Sequence, residues 1–367
     1  MKIGIVTFYR SLNYGAMLQA FSLMKYLERR GHTVEFLTHS HAFVPRQSIF
    51  RMLLTRSLKG YFSNVKKKIE AYLSYPITNF TDTFPTTGLL SDISDFRLKC
   101  SCYDVVIVGS DQMWNPKWVV PHFIPFVFLD LSDDCRCKRI SYAASFSNKA
   151  WNGGYCKEVG DLLRKFDAIS VREKSAVNLV KGLSGRDAEQ LADPVLLNDS
   201  SFFEFPCKRN KHYNNYIFKY MINGWVNGAG EKKIFQMLLN RCNVKRIYDD
   251  MELTICGFKK KVEVAEWLFR LRNSKLVVTN SFHGVVFSIL FHKDFIVFPL
   301  DGVNSGMNER IYSILEYFDM KSRLLSKEYD VFMSEYDRMH EIDWITADQR
   351  LSELRLKTDC FFSEVGI

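Results

Sequence analysis

The sequence predicts an α/β protein with two Rossmann-like, doubly wound domains facing a cleft. Three observations support this. The chain opens β-loop-α-β, with an apolar strand at 2–8, a helix over Met17–Arg30 and a strand at Thr33–Leu37. A polar, basic stretch at 198–215 separates two long segments that each alternate apolar strands with helical patterns. Within the second segment, Leu276-Val277-Val278 reads as a buried strand, Thr279–Gly284 as a polar turn and Val285–Phe291 as a buried helix. In such a unit the turn sits at the carboxyl edge of the sheet, where the helix N-terminus offers free N–H groups to an anion. The expected domains are 1–200, with a basic helical insertion near 41–99, and 210–345. A C-terminal helix over 346–367 is expected to pack back on the first domain.

At 367 residues the chain has room for about two domains. Hydrophobic residues make up 47% and charged residues 25%, the balance of a soluble globular protein. No apolar run reaches the length of a membrane span. The N-terminus, Met1-Lys2-Ile3-Gly4-Ile5-Val6, enters a strand without the apolar region of a signal peptide, so a cytoplasmic location is expected. The nine cysteines include two C-x-C pairs, Cys100/Cys102 and Cys135/Cys137. Neither pair has zinc-ribbon or thioredoxin spacing, so reduced thiols and no metal site are expected. A net charge of +9 favours an anionic partner. Nucleic acid is disfavoured, because the basic residues are scattered and no helix-turn-helix, zinc-finger or RRM signature is present.

The helix after the first strand has apolar residues at Leu18, Phe21, Leu23, Met24 and Leu27, with Gly31 to stop it. The loop before it, Asn13-Tyr14-Gly15-Ala16, lacks the G-x-G-x-x-G phosphate fingerprint, which argues against a nicotinamide cofactor. Between 46 and 68, Arg46, Arg51, Arg56, Lys59 and Lys66–Lys68 alternate with apolar residues. Two readings stand: contact with an anionic membrane surface, or a helical excursion with solvated charges. Tyr103–Val108 is a buried strand that runs into Gly109-Ser110-Asp111-Gln112-Met113-Trp114-Asn115-Pro116. Arg139–Phe146 and Ala168–Val171 are further strands, the latter followed by Arg172-Glu173-Lys174-Ser175 and a helix. In Ala192-Asp193-Pro194, the proline holds Asp193 in an extended or turn geometry. The second segment continues with a strand at Tyr216–Tyr220, helices at 230–241 and 262–272, a strand at Phe295–Pro299, and helical patterns at 308–317 and 347–361.

The turns Asn13-Tyr14-Gly15-Ala16, Gly109-Ser110-Asp111-Gln112-x-Trp114-Asn115, Ser170-Val171-Arg172-Glu173-x-Ser175, Ala192-Asp193-Pro194 and Ser281-Phe282-His283-Gly284 occur in this order. Together they resemble the polysaccharide pyruvyl transferase family over residues 1–320. The resemblance implies a fold similar to the GT-B glycosyltransferase architecture. It also implies an enzyme that moves the pyruvyl group of phosphoenolpyruvate onto two hydroxyls of a sugar as a ketal, releasing phosphate. The acceptor it implies is a cell-surface polysaccharide or its lipid-linked oligosaccharide precursor, with the basic 46–68 region against the inner face of the membrane. Phosphoenolpyruvate would be a co-substrate, and no cofactor is implied. Two alternatives remain: a nucleotide-sugar-dependent glycosyltransferase of the same architecture, and a non-catalytic glycan-binding relative.

This chemistry needs cations for a phosphate and a carboxylate, and a proton donor or acceptor near the reacting carbon. His283 is the first candidate for the acid/base role or for a phosphate contact, against a structural histidine in a turn. Ser281, Phe282 and Gly284 complete its donor-side turn. Some family members carry arginine where this chain has Ser281, so a cation must come from elsewhere. Arg172 is the best candidate, because its fork binds phosphate or carboxylate in bidentate fashion. Its alternative is an ion pair with Glu173 or Asp193. Arg310 is a further donor-side candidate, against a solvated helix charge. Asp111 is a candidate base. Gln112, Trp114 and Asn115, with Asn13, Tyr14 and Gly15, are assigned to the acceptor sugar. Trp114 would stack on the pyranose, and Gly15 would allow close backbone approach. Asp193 is read as a structural turn residue.

Overall fold

The computed structural model describes residues 1–38, 79–90, 92–151, 154–207, 215–222, 228–253 and 259–367. The basic 46–68 segment lies outside these residues, as does the centre of the 198–215 stretch.

The first half is a six-stranded parallel sheet. Its strands are β1 (Lys2–Val6), β2 (Thr33–Phe36), β3 (Val105–Val108), β4 (Lys138–Ala144), β5 (Ala168–Val171) and β6 (Glu189–Gln190), in the spatial order β2-β1-β3-β4-β5-β6. All four residues of β3 are buried, which is why Val-Val-Ile-Val reads as a continuous apolar run. The register sets Ile3 beside Val105 and Ile107 beside Ile140. The second half has β7 (Tyr216–Tyr220), β8 (Arg246–Tyr248), β11 (Leu276–Thr279) and β12 (Phe295–Val297), parallel and in the order β12-β11-β7-β8. Between β8 and β11, β9 (Met251–Leu253) and β10 (Lys259–Lys261) pair antiparallel.

Strand order reverses direction between β1 and β3 in the first sheet and between β7 and β11 in the second. At such switch points, successive crossovers leave on opposite faces and open a crevice at the carboxyl ends. The Asn13–Ala16 and Gly109–Asn115 turns leave one crevice, and the Asn280–His283 turn leaves the other. The strand pattern therefore places three of the five sequence motifs at the two positions where an open α/β sheet binds ligands, while those of Arg172 and Asp193 follow β5 and β6.

One apolar core joins the halves. Tyr14, which opens the helix Tyr14–Arg29, is fully buried and stacks on Trp267 of the second half with ring centroids 5.0 Å apart. Its hydroxyl donates to the Val262 carbonyl at 2.8 Å. Burial pushes that phenol well above its ordinary range. The last helix, Trp344–Glu364, returns to the first layer. Phe362 stacks on Tyr142 at 5.0 Å, and Asp359 pairs with Arg30 at 2.6 Å. Among the described residues no helix is long and apolar enough to cross a membrane.

Candidate active site

All the candidate side chains but Arg310 follow the end of a parallel strand. Asp111 follows β3 in a left-handed conformation, φ 77°, an uncommon geometry that aspartate tolerates better than most residues. The turn is pinned because the Asp111 carbonyl accepts from Ser145 N at 2.9 Å and from Met113 N at 2.8 Å. Arg172 leaves β5, with its N–H bonded to the Ala144 carbonyl at 3.2 Å. Asp193 leaves β6. In the second half, Ser281 is the N-cap residue of the helix Phe282–Leu290, so Phe282 and His283 stand in its first turn. Gly284 is required there, since a Cβ would meet Thr279 Oγ1 at 2.3 Å. Arg310 lies in the helix Asn308–Tyr317.

These residues converge. Asp193 is the hub: its Oδ2 lies 2.9 Å from Arg172 Nη2 and 3.4 Å from His283 Nε2. Its Oδ1 accepts from Val195 N at 3.0 Å. Burial would raise the carboxyl pKa, but the facing Arg172 and His283 outweigh it and hold Asp193 at about 2. Asp111 Oδ1 sits between two guanidiniums, 3.5 Å from Arg310 Nη1 and 4.0 Å from Arg172 Nη1. Both guanidiniums also lie near the Phe282 ring, their centres 4.7 Å (Arg172) and 5.5 Å (Arg310) from its centroid. Arg172 further donates to Ser110 Oγ. Arg310 is pushed down to about 10, first by burial and then by Arg172, with Asp111 opposing. Glu173, buried beside them, has its pKa raised by burial although Ser145 Oγ donates to it.

The guanidiniums are not saturated. Arg172 and Arg310 are each 5% exposed, yet Arg172 Nε and Nη1 and Arg310 Nε make no hydrogen bond among the described residues. Buried donors of this kind are costly unless an acceptor meets them. Three unbonded nitrogens on two neighbouring guanidiniums suit a phosphate or carboxylate. The cavity lined by Arg172, Asp193, Phe282 and Arg310 measures about 30 Å³. That holds about one water, well short of the roughly 300 Å³ at which small-molecule sites begin. The halves close on the site directly. Gly15 of the first half lies so near His283 that a Cβ would meet Nδ1 at 2.1 Å. Gly306 presses on Asn148 in the same way, its Cβ position 2.2 Å from Oδ1. Lys149 pairs with Glu309 at 3.5 Å.

Asp111, Arg172, Phe282, His283 and Arg310 are thus brought together, with Ser281 buried next to Phe282. Arg310 is buried and ion-paired, which overturns its reading as a solvated charge. The ion pair of Arg172 with Asp193 is present, so that alternative and the cluster coexist. The acceptor-side group divides. Trp114 is 0% exposed, stacked on Phe128 at 5.2 Å, with its indole N–H donated to the Val127 carbonyl at 2.7 Å. It has no free face for a sugar, and its role is core packing. Tyr14 and Asn115 are likewise fully buried, Tyr14 between the halves and Asn115 bracing its own turn through Lys117 N at 3.0 Å. The Asn13 amide oxygen caps its helix, accepting from Gly15 N at 2.9 Å. Gly15 makes its close approach to the His283 ring. Gln112 stays partly exposed. Sequence reasoning missed Asp193 as the hub because Asp-Pro explains itself as a turn. Its position after a strand, like every other motif, was the available signal. Among the described residues no group of three or more His, Cys, Asp or Glu side chains forms a metal site.

The polysaccharide pyruvyl transferase family model matches residues 13–302, most of the chain. The chain belongs to the polysaccharide pyruvyl transferase family. The matched segment carries every motif above, while Arg310 lies just beyond it. Comparison with curated protein sequences found no match. Among solved structures, UDP-GlcNAc 2-epimerase from Methanocaldococcus jannaschii is similar at TM-score 0.52 and 10% identity, covering 98% of this chain and 99% of that one. UDP-GlcNAc 2-epimerase from Neisseria meningitidis, bound to UDP-GlcNAc, is similar at TM-score 0.50 and 10% identity, covering 97% of this chain and 100% of that one. At this identity the likeness is one of fold. It identifies the two parallel-sheet halves of this pyruvyl transferase family member as a GT-B-type pair.

Proposed function

We propose that the chain is a ketal pyruvyltransferase that uses phosphoenolpyruvate. The observation that carries this reading is the pair of buried guanidiniums, Arg172 and Arg310, with three unbonded nitrogens, close to His283 and Asp111. Donor phosphate and carboxylate meet these N–H groups, and the spread of negative charge compensates two cations otherwise held in low dielectric. The donor enters when the halves part at the Gly15–His283 and Gly306–Asn148 contacts, a hinge motion that widens the small closed cavity.

The chemistry then runs in two additions. A proton goes to carbon 3 of the donor, which becomes the methyl group, and carbon 2 becomes the electrophile. A sugar hydroxyl adds to carbon 2, and its proton passes to a base. Phosphate leaves with the electrons of the C–O bond, a second hydroxyl of the same sugar adds, and its proton is also lost. The ring closes as a ketal. His283 is the acid/base group. Asp193, held ionised, faces Nε2 at 3.4 Å and orients the imidazole. Asp111, at the acceptor edge between the two arginines, is the base for the attacking hydroxyl. The acceptor is a sugar of a cell-surface polysaccharide or its lipid-linked precursor, met at the inner face of the membrane.

The test is transfer of carbon label from phosphoenolpyruvate to a panel of lipid-linked glycans, with stoichiometric phosphate release. His283→Ala and Arg172→Ala should each abolish it. Label moving from a nucleotide sugar instead would establish the glycosyltransferase alternative. Glycan binding with no turnover of any donor would establish the binding protein.

A further inference from the structure

Burial of Trp114 removes the indole that the sequence offered as a sugar platform. Four residues later, another tryptophan stands in the open. Trp118 is 52% exposed, the only tryptophan among the large exposed apolar side chains of the described residues. It is not loose. Its indole N–H donates to Gln112 Oε1 at 3.1 Å, and the same oxygen accepts from Asn115 Nδ2 at 2.6 Å. Two bonds to one amide oxygen fix Gln112, and they leave its Nε2 to donate elsewhere. The neighbour of Gln112 is Asp111, which lies 3.5 Å from Arg310. On the other side of Trp118, Lys117 Nζ donates to the Val303 carbonyl of the second half. Trp118 is therefore one residue from a contact between the halves, and its hydrogen-bond partner Gln112 is the chain neighbour of Asp111 in the charged centre.

We infer that Trp118 and the Gln112 amide form the acceptor subsite, with Trp118 stacking on the apolar face of a hexopyranose. This rests on the pyruvyltransferase reading and deepens it. The C–H-rich face of a pyranose is flat and apolar, while its edge carries hydroxyls. It needs a large rigid surface with a polar donor beside it. An indole whose N–H is already bonded offers that surface at little entropic cost, since the bond restricts the ring. Gln112 supplies the donor, and Asp111, adjacent in the chain, meets the hydroxyls that react. The location agrees with a donor held by Arg172, Arg310 and His283. The sugar reaches them from the first half, past the β3 exit. The Lys117–Val303 contact joins this subsite to the same closure that seals the donor cavity.

The test uses the full-length protein, phosphoenolpyruvate and methyl glycosides of the common hexopyranoses, with phosphate release as readout. Trp118→Ala should raise acceptor KM roughly tenfold, the factor that about 1.4 kcal/mol of lost binding produces. KM for phosphoenolpyruvate should stay unchanged, and Trp118→Phe should restore most of the acceptor affinity. Gln112→Ala should raise acceptor KM in the same selective way. An unchanged acceptor KM in Trp118→Ala would overturn the inference, as would an equal loss on the donor side. If the wild-type protein transfers from no donor, the pyruvyltransferase reading fails separately, and the subsite is then read by saturation-transfer NMR on the same glycosides. Signal lost in Trp118→Ala supports the platform. Unchanged signal, or none in the wild type, rejects it.

Discussion

Replacing Gly15 by alanine places a methyl group inside the His283 ring. A Cβ at position 15 would lie 2.1 Å from Nδ1, 2.2 Å from Cγ and 2.5 Å from the His283 Cβ. Ordinary contact begins at 3.4 Å, so the imidazole and the Tyr14–Arg29 helix must part by about 1.3 Å. Both sides resist. The helix is held by the Tyr14–Trp267 stack, and the imidazole is attached to a fully buried helix beside Asp193. Overpacking a tight site costs roughly 1–3 kcal/mol. Alanine's better helix propensity offsets at most about 1 kcal/mol of that. The larger effect falls on turnover, because misplacing a catalytic group by about 1 Å costs on the order of 100-fold. We expect Gly15→Ala to fold, to lose about 100-fold in kcat for phosphate release from phosphoenolpyruvate and acceptor, and to shift the His283 ring signals in NMR. In a His283→Ala background, where turnover is already abolished, the same change should cost no further stability by denaturant unfolding, since the ring it displaces is gone. Wild-type kcat in Gly15→Ala, with unmoved His283 signals, would refute the steric argument. So would a loss of stability from Gly15→Ala that persists without the imidazole.

Asp193→Asn removes the charge that faces Arg172 and His283, and breaking a buried pair from one side costs about 3–5 kcal/mol, visible as a fall in Tm. The Asp193 carboxyl drops from an ordinary 3.8 to about 2 on folding. Its stabilisation, about 2 kcal/mol, is therefore complete above pH 4 and is lost as pH falls towards 2. Acid titration of unfolding should show a shallower loss over that window in Asp193→Asn, and an identical slope would disprove the linkage. Arg310→Lys keeps the charge but loses the fork near Phe282. It should raise KM for phosphoenolpyruvate by about tenfold or more while leaving acceptor KM in place, as initial-rate kinetics will show. Trp114→Ala should cost about 3–5 kcal/mol of stability by denaturant unfolding, and a selective loss of acceptor affinity instead would return Trp114 to the sugar site.

The local order of this protein is written in its sequence. Four valine and isoleucine residues in a row make β3 a doubly covered strand, and Leu276-Val277-Val278 does the same for β11. Strand–turn–helix repetition then places every polar turn at a carboxyl edge, because a parallel sheet connected by helices offers no other place for it. That is why Asp111, Arg172 and His283 were legible as candidate site residues, and why two Rossmann-like halves were legible. What periodicity along the chain does not contain is distance across it. Asp193, which looks complete as a turn-capping residue, becomes the hub because it meets His283 only after the halves dock. Arg310 reads as a surface helix charge until docking buries it against Phe282 and Asp111. Trp114 and Trp118 are the same residue type four positions apart, and only packing sends one into the core with Phe128 and leaves the other exposed. The chemical groups and their order along the chain were determined by the sequence. Which of them face one another, and which lose water, was decided by the tertiary structure, since burial and charge pairing depend on segments far apart in the chain.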